Sequence, residues 1–246
     1  MEDYSVSTYG DTVAGIYDGW HGLWEDPADA VEYLAKLADG GRVLELGIGT
    51  GRVAIPLAAR GLDVQGVDAS AEMVRVMRTK PGGDLPVIIG DAADVANLVS
   101  GSFSLIYCVF SSFYGILTQK EQLRCLSGVF DRLQPGGSFV VETFYPDLTK
   151  FSNNKSLELF HFTPERISIW ASRHDKLAQT IHTEDLHVRN GSVQAYPVKV
   201  RYVWPAELDL MTRLSGLELV SRQADWNGQE FTSRSFNYIT TYRKPG

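Results

Sequence analysis

Three glycines at alternate positions, Gly47, Gly49 and Gly51, constrain the fold of this chain more than any other feature. They follow the short apolar segment 43–46 and precede a second apolar stretch, 53–59, so the pattern predicts a strand, a tight turn and a helix. Glycine permits positive φ and leaves no Cβ between the backbone and a ligand, while free N–H groups at a helix start face the same crevice. The segment therefore predicts a ligand site lined by backbone.

The spacing of the glycines indicates which ligand the turn accepts. The dinucleotide-binding pattern G-x-G-x-x-G has its third glycine one position later, where this chain has Arg52. The phosphate-binding loop G-x-x-x-x-G-K-[ST] is also absent, because no Gly-Lys-Ser or Gly-Lys-Thr occurs in the sequence. A pyrophosphate ligand is therefore less favoured than a ligand without phosphate.

Acidic residues beside the turn complete a nucleoside-binding pattern. Glu45 precedes the glycines, and Asp68 ends the next apolar segment, 62–68, where a carboxylate accepts both ribose hydroxyls. The run E-L-G-x-G-T-G-R at 45–52, followed by G-V-D-A-S at 66–70, resembles motifs I and II of class I S-adenosylmethionine-dependent methyltransferases. The resemblance covers most of the chain, although in 146–204 only the type of structure is similar.

The resemblance implies a fold and a cofactor. The fold class is α/β, with a Rossmann-like, mostly parallel sheet, an antiparallel C-terminal edge hairpin and an inserted antiparallel β cap. The cofactor is S-adenosyl-L-methionine, which becomes S-adenosyl-L-homocysteine. The implied cofactor-binding residues are Tyr17, Glu45, Gly47, Gly49, Gly51, Arg52, Asp68, Ala69, Met73, Asp91, Ala92, Val109 and Phe110.

Two of these roles are specific. Asp91 would accept a hydrogen bond from the adenine amino group, and the N–H of Ala92 would donate one to a ring nitrogen. The alternative role for Asp91 is that of an N-cap on the following helix. Both roles hold together if Asp94 is the cap. Tyr17, of the pair Tyr17-Asp18, would approach the methionine end of the cofactor.

Four regions are predicted: a helical lid at 1–41, the cofactor-binding core at 42–145, the inserted cap at 146–204, and at 205–246 a final helix and edge hairpin that complete the core. In the lid, apolar residues recur at spacings of three and four from Tyr9 to Trp20, which predicts one helix. A second lid helix is expected after Asp26 as its N-cap. Similar methyltransferases fold such helices over the cofactor; simple packing on the core is the alternative.

The cap is predicted from a change of periodicity. Strands are expected at 167–172, 180–188 and 193–203, and Asn190-Gly191 is a strong hairpin signal between two of them. In the core, Pro56 fits the helix after the glycines only if that helix begins a little beyond the turn.

Methyl transfer from a sulfonium is an in-line displacement, so neither a catalytic triad nor a metal is required. Tyr114 and Tyr145 are the first candidates for a base, since each follows a predicted core strand; His161 and His174 of the cap come next. A tyrosine with a pKa near 10 is a poor base, and orienting the acceptor by hydrogen bonding is the favoured role.

The predicted acceptor walls contain the candidate substrate residues Trp20, Trp24, Ser111, Phe113 and Tyr114, near the further aromatics Phe144, Tyr145, Phe160 and Phe162. These rings either line a pocket for a planar or apolar acceptor or belong to the core. The run 110–112 is similar to a loop of sugar N-methyltransferases, which carry a histidine shortly after the serines. This chain has Phe-Tyr-Gly at 113–115 instead, so the acceptor chemistry stays open.

Composition and sequence motifs limit the classes of partner that this protein can bind. A net charge of −7, no basic face and no Asn/Asp-Pro-Pro-Tyr/Phe signature disfavour nucleic-acid methylation. No apolar run spans a membrane, no secretion signal is visible, and Cys108 and Cys125 fit a core in a reducing compartment. We expect a cytoplasmic protein without membrane or nucleic-acid partners. The resemblance to sugar and glycine N-methyltransferases implies that the cap can form a homodimer contact.

The sequence thus predicts methylation of O or N on a small-molecule acceptor, such as a natural-product or sugar intermediate. The alternative is a regulatory protein that binds S-adenosylmethionine or S-adenosylhomocysteine on the same fold without turnover, because fold does not fix function. Nicotinamide-dependent oxidoreduction is disfavoured by the glycine spacing.

Overall fold

A computed structural model of the chain describes residues 4–21, 27–163, 167–189 and 191–246. The helices are α1 (Thr8–Val13), α2 (Tyr17–His21), α3 (Ala28–Ala38), α4 (Ala54–Ala59), α5 (Ala71–Arg78), α6 (Val95–Leu98), α7 (Gln119–Arg132) and α8 (Pro205–Leu214). The strands are β1 (Val43–Leu46), β2 (Val64–Asp68), β3 (Val87–Ile89), β4 (Phe103–Cys108), β5 (Leu133–Phe144), β6 (Lys155–Phe162), β7 (Ile167–Asp175), β8 (Thr180–Arg189), β9 (Ser192–Arg201), β10 (Glu218–Gln223) and β11 (Asn237–Arg243). Two 3₁₀ turns lie at Ala92–Asp94 and Ser112–Gly115.

The larger sheet has seven strands in the order β10-β11-β5-β4-β1-β2-β3. Its pairs are parallel except at β11 and β10, which run antiparallel at one edge. The central strands β1 and β4 are buried along their whole length, as parallel strands covered by helices require. Strand order reverses at β1, so a crevice opens at the carboxyl ends of β1 and β4. The predicted Rossmann-like sheet with its edge hairpin is confirmed.

The smaller sheet is antiparallel in the order β6-β7-β8-β9, which confirms the inserted cap. It has four strands where the sequence predicted three. The missed strand, β6, carries a register irregularity between Leu159 and His161, and this breaks the alternation that reveals a strand. Arg189 pairs with Ser192 as a two-residue hairpin at 190–191 requires, although Asn190 itself lies outside the described residues.

The lid contains two short helices, α1 and α2, so the prediction of one continuous helix there was wrong. The break falls at 14–16, and the segment carries glycines at positions 10, 15 and 19, which lower helix propensity. The predicted N-cap Asp26 lies outside the described residues, and α3 begins directly after Pro27.

The apolar core covers both faces of the larger sheet. One layer lies under α7 and α8 and contains Phe139 and Tyr238, and the other lies under α3 and α4 and contains Leu57 and Tyr107. Pro56 falls within the first turn of α4, because the regular helix begins at Ala54, beyond the glycine turn. Both layers hold the carboxyl ends of the central strands in fixed positions.

Candidate active site

The glycine turn between β1 and α4 presents bare backbone to the crevice. Gly47, Gly49 and Gly51 have φ values of 80°, 54° and 77°, a region that favours glycine. A Cβ on Gly47 would lie 2.9 Å from the Cβ of Ser112, and one on Gly51 would lie 2.7 Å from the Cγ of Met77. A Cβ on Gly49 would meet no protein atom closer than 4.0 Å. The outer two glycines serve packing, whereas Gly49 opens onto space that a ligand can fill.

Asp68, at the carboxyl end of β2, fixes this turn. Its Oδ2 accepts a hydrogen bond from the N–H of Gly49 at 2.7 Å, and its Oδ1 accepts one from the N–H of Ser70 at 2.8 Å. Burial raises the pKa of Asp68 while these two bonds oppose the shift. Each carboxylate oxygen has a second lone pair, so Asp68 retains the capacity to accept ribose hydroxyls.

Glu45 lies beneath the turn, with 3% of its surface exposed. Tyr107 donates its hydroxyl hydrogen to Oε2 of Glu45 at 2.7 Å, and the N–H of Ala54 at the start of α4 donates to the same carboxyl group. Burial raises the pKa of Glu45 to about 8, and the charge of Asp68 adds to the shift. The side chain thus joins β1, β4 and α4 under the crevice.

An ion pair and several hydrogen bonds connect the lid with the turn and with α5. Asp18 accepts a hydrogen bond from Oγ1 of Thr50 at 2.7 Å, and its other oxygen lies 2.7 Å from Nζ of Lys80. Lys80 also donates to the carbonyl oxygen of Thr50 at 2.8 Å. On α1, Asp11 accepts from Oγ of Ser70 at 2.6 Å. These contacts place the N-terminal helices beside the crevice, and their role as a lid over the cofactor stays a prediction.

Tyr17 lies between the lid and the turn. Burial raises its pKa to about 12; Arg52 opposes the shift, and the nearby charges of Glu45, Asp18 and Asp68 add to it. The Arg52 guanidinium lies 4.4 Å above the ring of Phe110. These contacts bring Tyr17, Arg52 and Phe110 to the crevice where the sequence predicted a cofactor.

The backbone after β4 is strained. Phe110 and Ser111 have φ values of 52° and 60°, which cost on the order of 1–3 kcal/mol each for residues other than glycine. Glu142 holds them, because its Oε2 accepts from the N–H of Phe110 at 3.0 Å and its carbonyl from the N–H of Ser111 at 3.1 Å. Oγ of Ser111 accepts from the N–H of Phe144 at 3.1 Å. The predicted substrate residue Ser111 is thus engaged in holding the turn.

The loops after β2 and β3 meet at the predicted adenine end. The N–H of Gly90 donates to the carbonyl of Asp68 at 2.8 Å. Asp91 accepts from the N–H of Ala93 at 2.8 Å and is therefore an N-cap, whereas Asp94 makes no side-chain cap bond to α6. The structure gives the capping role to Asp91 itself, and its adenine contact stays a prediction.

Three further cofactor candidates occupy distinct positions. Ala69 is half-buried beside Asp68, whereas Val109 is buried at the end of β4. Met73 is buried in a small cluster with Val13 and Ala14 of the lid. Met73 therefore packs beneath the lid, and its contact with a cofactor stays a prediction.

Tyr114 does not fit the role of a base. It is fully buried, and its hydroxyl lies within hydrogen-bonding distance of the carbonyls of Phe144 and Val203, at 3.1 and 3.0 Å, and of the Tyr238 hydroxyl at 3.1 Å. Burial raises its pKa well above the ordinary value. The 3₁₀ turn after β4 directs Tyr114 and its neighbour Phe113 into the core, so the predicted substrate roles of both are corrected to core packing.

Replacing Tyr114 by phenylalanine should lower the free energy of unfolding by about 1–3 kcal/mol, because a buried carbonyl loses the hydrogen-bond donor of this hydroxyl. Urea unfolding measures the loss. Tyr33→Phe, which removes one half-buried hydroxyl bonded to Thr241, is the control and should cost less. A variant of Tyr114 with unchanged stability and no turnover would restore the base assignment.

The other catalytic candidates differ in position. The Tyr145 ring packs against Trp204 and Phe231, with centroids 5.7 and 5.6 Å away. His161 lies on the edge strand β6, three strands from β9, the cap strand that contacts α1. His174 is buried, with Nε2 2.9 Å from the Tyr202 hydroxyl. The two histidines are therefore not brought to the glycine turn.

Trp20 lies where the lid meets the cap. Its ring centroid is 4.4 Å from that of His187 and 4.8 Å from that of Tyr196. This position is compatible with the predicted role of Trp20 in the acceptor wall. The other predicted tryptophan, Trp24, lies outside the described residues. His187 and its neighbour Asp185 are not among the residues predicted from the sequence, although the alternation of 180–188 places both on one face of a strand.

Comparisons with known proteins agree with this geometry. A methyltransferase-domain family model matches residues 43–137. The chain is 34% identical to the CcbJ methyltransferase of Streptomyces caelestis, with a TM-score of 0.92 over 99% of this chain and 100% of that one. It is 26% identical over 239 residues to the cypemycin N-terminal methyltransferase of a Streptomyces species, which covers 96% of each chain. The fold is also that of SAM-bound CalS10, an amino pentose methyltransferase of Micromonospora echinaspora, at 17% identity and a TM-score of 0.67 over 92% and 96% of the chains.

The chain therefore belongs to the class I S-adenosylmethionine-dependent methyltransferases. Family and cofactor are confirmed as predicted, and the open space beside Gly49 fits a nucleoside lying against the backbone. Within the described residues, no helix is both long and apolar enough to cross a membrane, and no group of His, Cys, Asp and Glu has the arrangement of a metal site.

Proposed function

We propose that this enzyme methylates an amine nitrogen of a small-molecule acceptor held between the lid and the cap. The main evidence for nitrogen is the excess of negative charge in this region. The carboxylates of Asp11, Asp18, Asp68 and Asp185 outnumber the cations of Arg52 and Lys80 around Tyr9 and Tyr17. Excess negative charge attracts a protonated amine.

The phenols of the lid support the same choice. Burial raises the pKa of Tyr17 to about 12 and raises that of Tyr9 further, so neither is a base near neutral pH. A hydroxyl acceptor usually needs a base, whereas an amine can release its proton to solvent before it reacts. Similarity to an N-terminal methyltransferase along 96% of the chain agrees with an amine acceptor.

When bound, S-adenosylmethionine supplies an electrophilic methyl carbon on a sulfonium. The amine lone pair forms the new N–C bond as the S–C bond breaks, and sulfur keeps the bonding pair. The chain's own residues bind and orient: Asp68 and the glycine turn hold the nucleoside, Asp18 and Lys80 hold the lid, and the closed lid excludes water.

The test uses methyl-labelled S-adenosylmethionine with a panel of small amines and the matching alcohols. Label should enter amines and not alcohols, as read by mass spectrometry. Transfer to alcohols alone would contradict the choice of nitrogen. Binding of S-adenosylhomocysteine with no transfer to any acceptor would favour the regulatory alternative.

We also propose that the outer face of the cap forms the homodimer contact that the resemblance implies. Cross-strand pairing aligns Leu159, Ile169, Leu186 and Ala195 in one apolar row, and Leu159 has 62% of its surface exposed. Exposed apolar rows of this kind mark protein interfaces.

Light scattering should give twice the monomer mass for the wild type and the monomer mass for Leu159→Glu, because the new charge would be buried without a partner. Leu214→Glu, an exposed leucine on α8, is the control and should remain dimeric. A monomeric wild type would refute the interface.

A further inference from the structure

The cap sheet turns one face toward the lid. Trp170 on β7 lies directly opposite Asp185 on β8, which lies opposite Tyr196 on β9, so the three side chains project from one face. The rings of Trp20 and His187 pack on the same face beside Tyr196. We call this the inner face of the cap.

Three polar atoms on the inner face are buried without a hydrogen-bond partner among the described residues; Nδ1 of His174 is one, and the other two belong to a directly opposed pair of residues nearer the lid. These two are Oδ1 of Asp185 and Nε1 of Trp170. Nε2 of His187 lies 3.1 Å from that oxygen, but the contact lacks hydrogen-bond geometry. An unpaired buried acceptor or donor costs on the order of 1–3 kcal/mol, which a bound molecule with matching groups would offset.

The lid lies between this pair and the cofactor crevice and contacts both. Tyr196, directly opposite Asp185, packs in one small cluster with Tyr9, Tyr17 and Trp20 of the lid. Tyr17 in turn lies near Arg52 and Asp68 at the glycine turn. A molecule that contacts Asp185 therefore lies on the lid side of the crevice, where an acceptor must approach the methyl donor.

We infer that Asp185 and Trp170 form the recognition subsite for the methyl acceptor. Asp185 accepts hydrogen bonds from the acceptor's amino group, which arrives as an ammonium ion, loses one proton to solvent before the lid closes, and reacts as the neutral amine. The Nε1–H of Trp170 donates to a neighbouring oxygen of the same molecule. The acceptor class is thus an amine with a hydroxyl or carbonyl oxygen close to the nitrogen. This inference rests on the proposed function and adds the residues that select the substrate.

The experiment compares two probes of similar shape on the full-length protein saturated with S-adenosylhomocysteine. The probe 2-aminocyclohexanol carries an ammonium and a hydroxyl, whereas 1,2-cyclohexanediol carries no charge. Affinities are measured by ligand-detected NMR for the wild type, Asp185→Asn, Trp170→Phe and Glu184→Gln. The last is the matched control, because Glu184 is the adjacent residue and projects from the opposite face of β8.

The wild type should bind the amine at least ten-fold more tightly than the diol. Asp185→Asn should abolish that preference, Trp170→Phe should weaken both probes several-fold, and Glu184→Gln should behave as the wild type. Equal binding of the two probes by the wild type, or a preference that survives in Asp185→Asn, would overturn the assignment. Failure of the wild type to bind S-adenosylhomocysteine would instead contradict the proposed function itself.

Discussion

Asp68→Ala is expected to bind S-adenosylhomocysteine roughly a hundred-fold more weakly than the wild type. The carboxylate accepts the N–H groups of Gly49 and Ser70 and has lone pairs left for ribose hydroxyls. Charge-assisted hydrogen bonds contribute about 1.5–3 kcal/mol each, so losing the ribose contacts and the fixed turn together costs about 3 kcal/mol. Calorimetric titration measures this change.

The control for Asp68 lies just before the same strand. Asp63 lies at the opposite end of β2 in an exposed ion pair with Arg42, and such pairs contribute little. Asp63→Ala should therefore bind the nucleoside as the wild type does. If Asp68→Ala also retains wild-type affinity, Asp68 is not the ribose partner.

Glu45→Gln is expected to stabilise the protein increasingly as the pH rises from about 5 to 8.5. The folded-state pKa of Glu45 is about 8, raised by burial from about 4.5. Above pH 4.5 the unfolded chain releases a proton that the folded protein keeps, so the wild type loses stability until the pH passes the folded-state pKa. A shift of this size is equivalent to several kcal/mol, and a neutral glutamine avoids the loss.

Urea unfolding of both proteins at several pH values isolates the effect, because the other titrating groups are common to both. The difference in unfolding free energy should grow with pH and level off above about 8. Parallel stability curves would show that Glu45 is ionised in the folded protein. That result would contradict a neutral Glu45 carboxyl group beneath the turn.

The sequence predicts the geometry of the glycine turn and the neighbouring strand ends well, because that geometry depends on local pattern. Glycines at alternate positions and an aspartate ending the next strand define the turn, and the parallel sheet brings the strand ends together. Glu45 is less predictable, since spacing places it before the glycines without showing that it projects into the interior toward Tyr107.

The region proposed to bind the acceptor depends on contacts between distant segments. Tyr114 follows a strand end and was expected at the crevice, but its partners Val203 and Tyr238 come from the far end of the chain. The inner face of the cap likewise requires the register of β7, β8 and β9 before Trp170 and Asp185 meet. Sequence pattern indicates strands there but not which side chains face the lid.

The most direct test of the central claim is a titration of S-adenosylhomocysteine into Gly49→Ala and Gly40→Ala. Both glycines have positive φ and space for a Cβ, so the two substitutions strain the backbone similarly. Gly40 lies before β1, away from the glycine turn. If the nucleoside lies against bare backbone, Gly49→Ala should bind at least ten-fold more weakly than Gly40→Ala at similar thermal stability. Equal affinities would contradict the account.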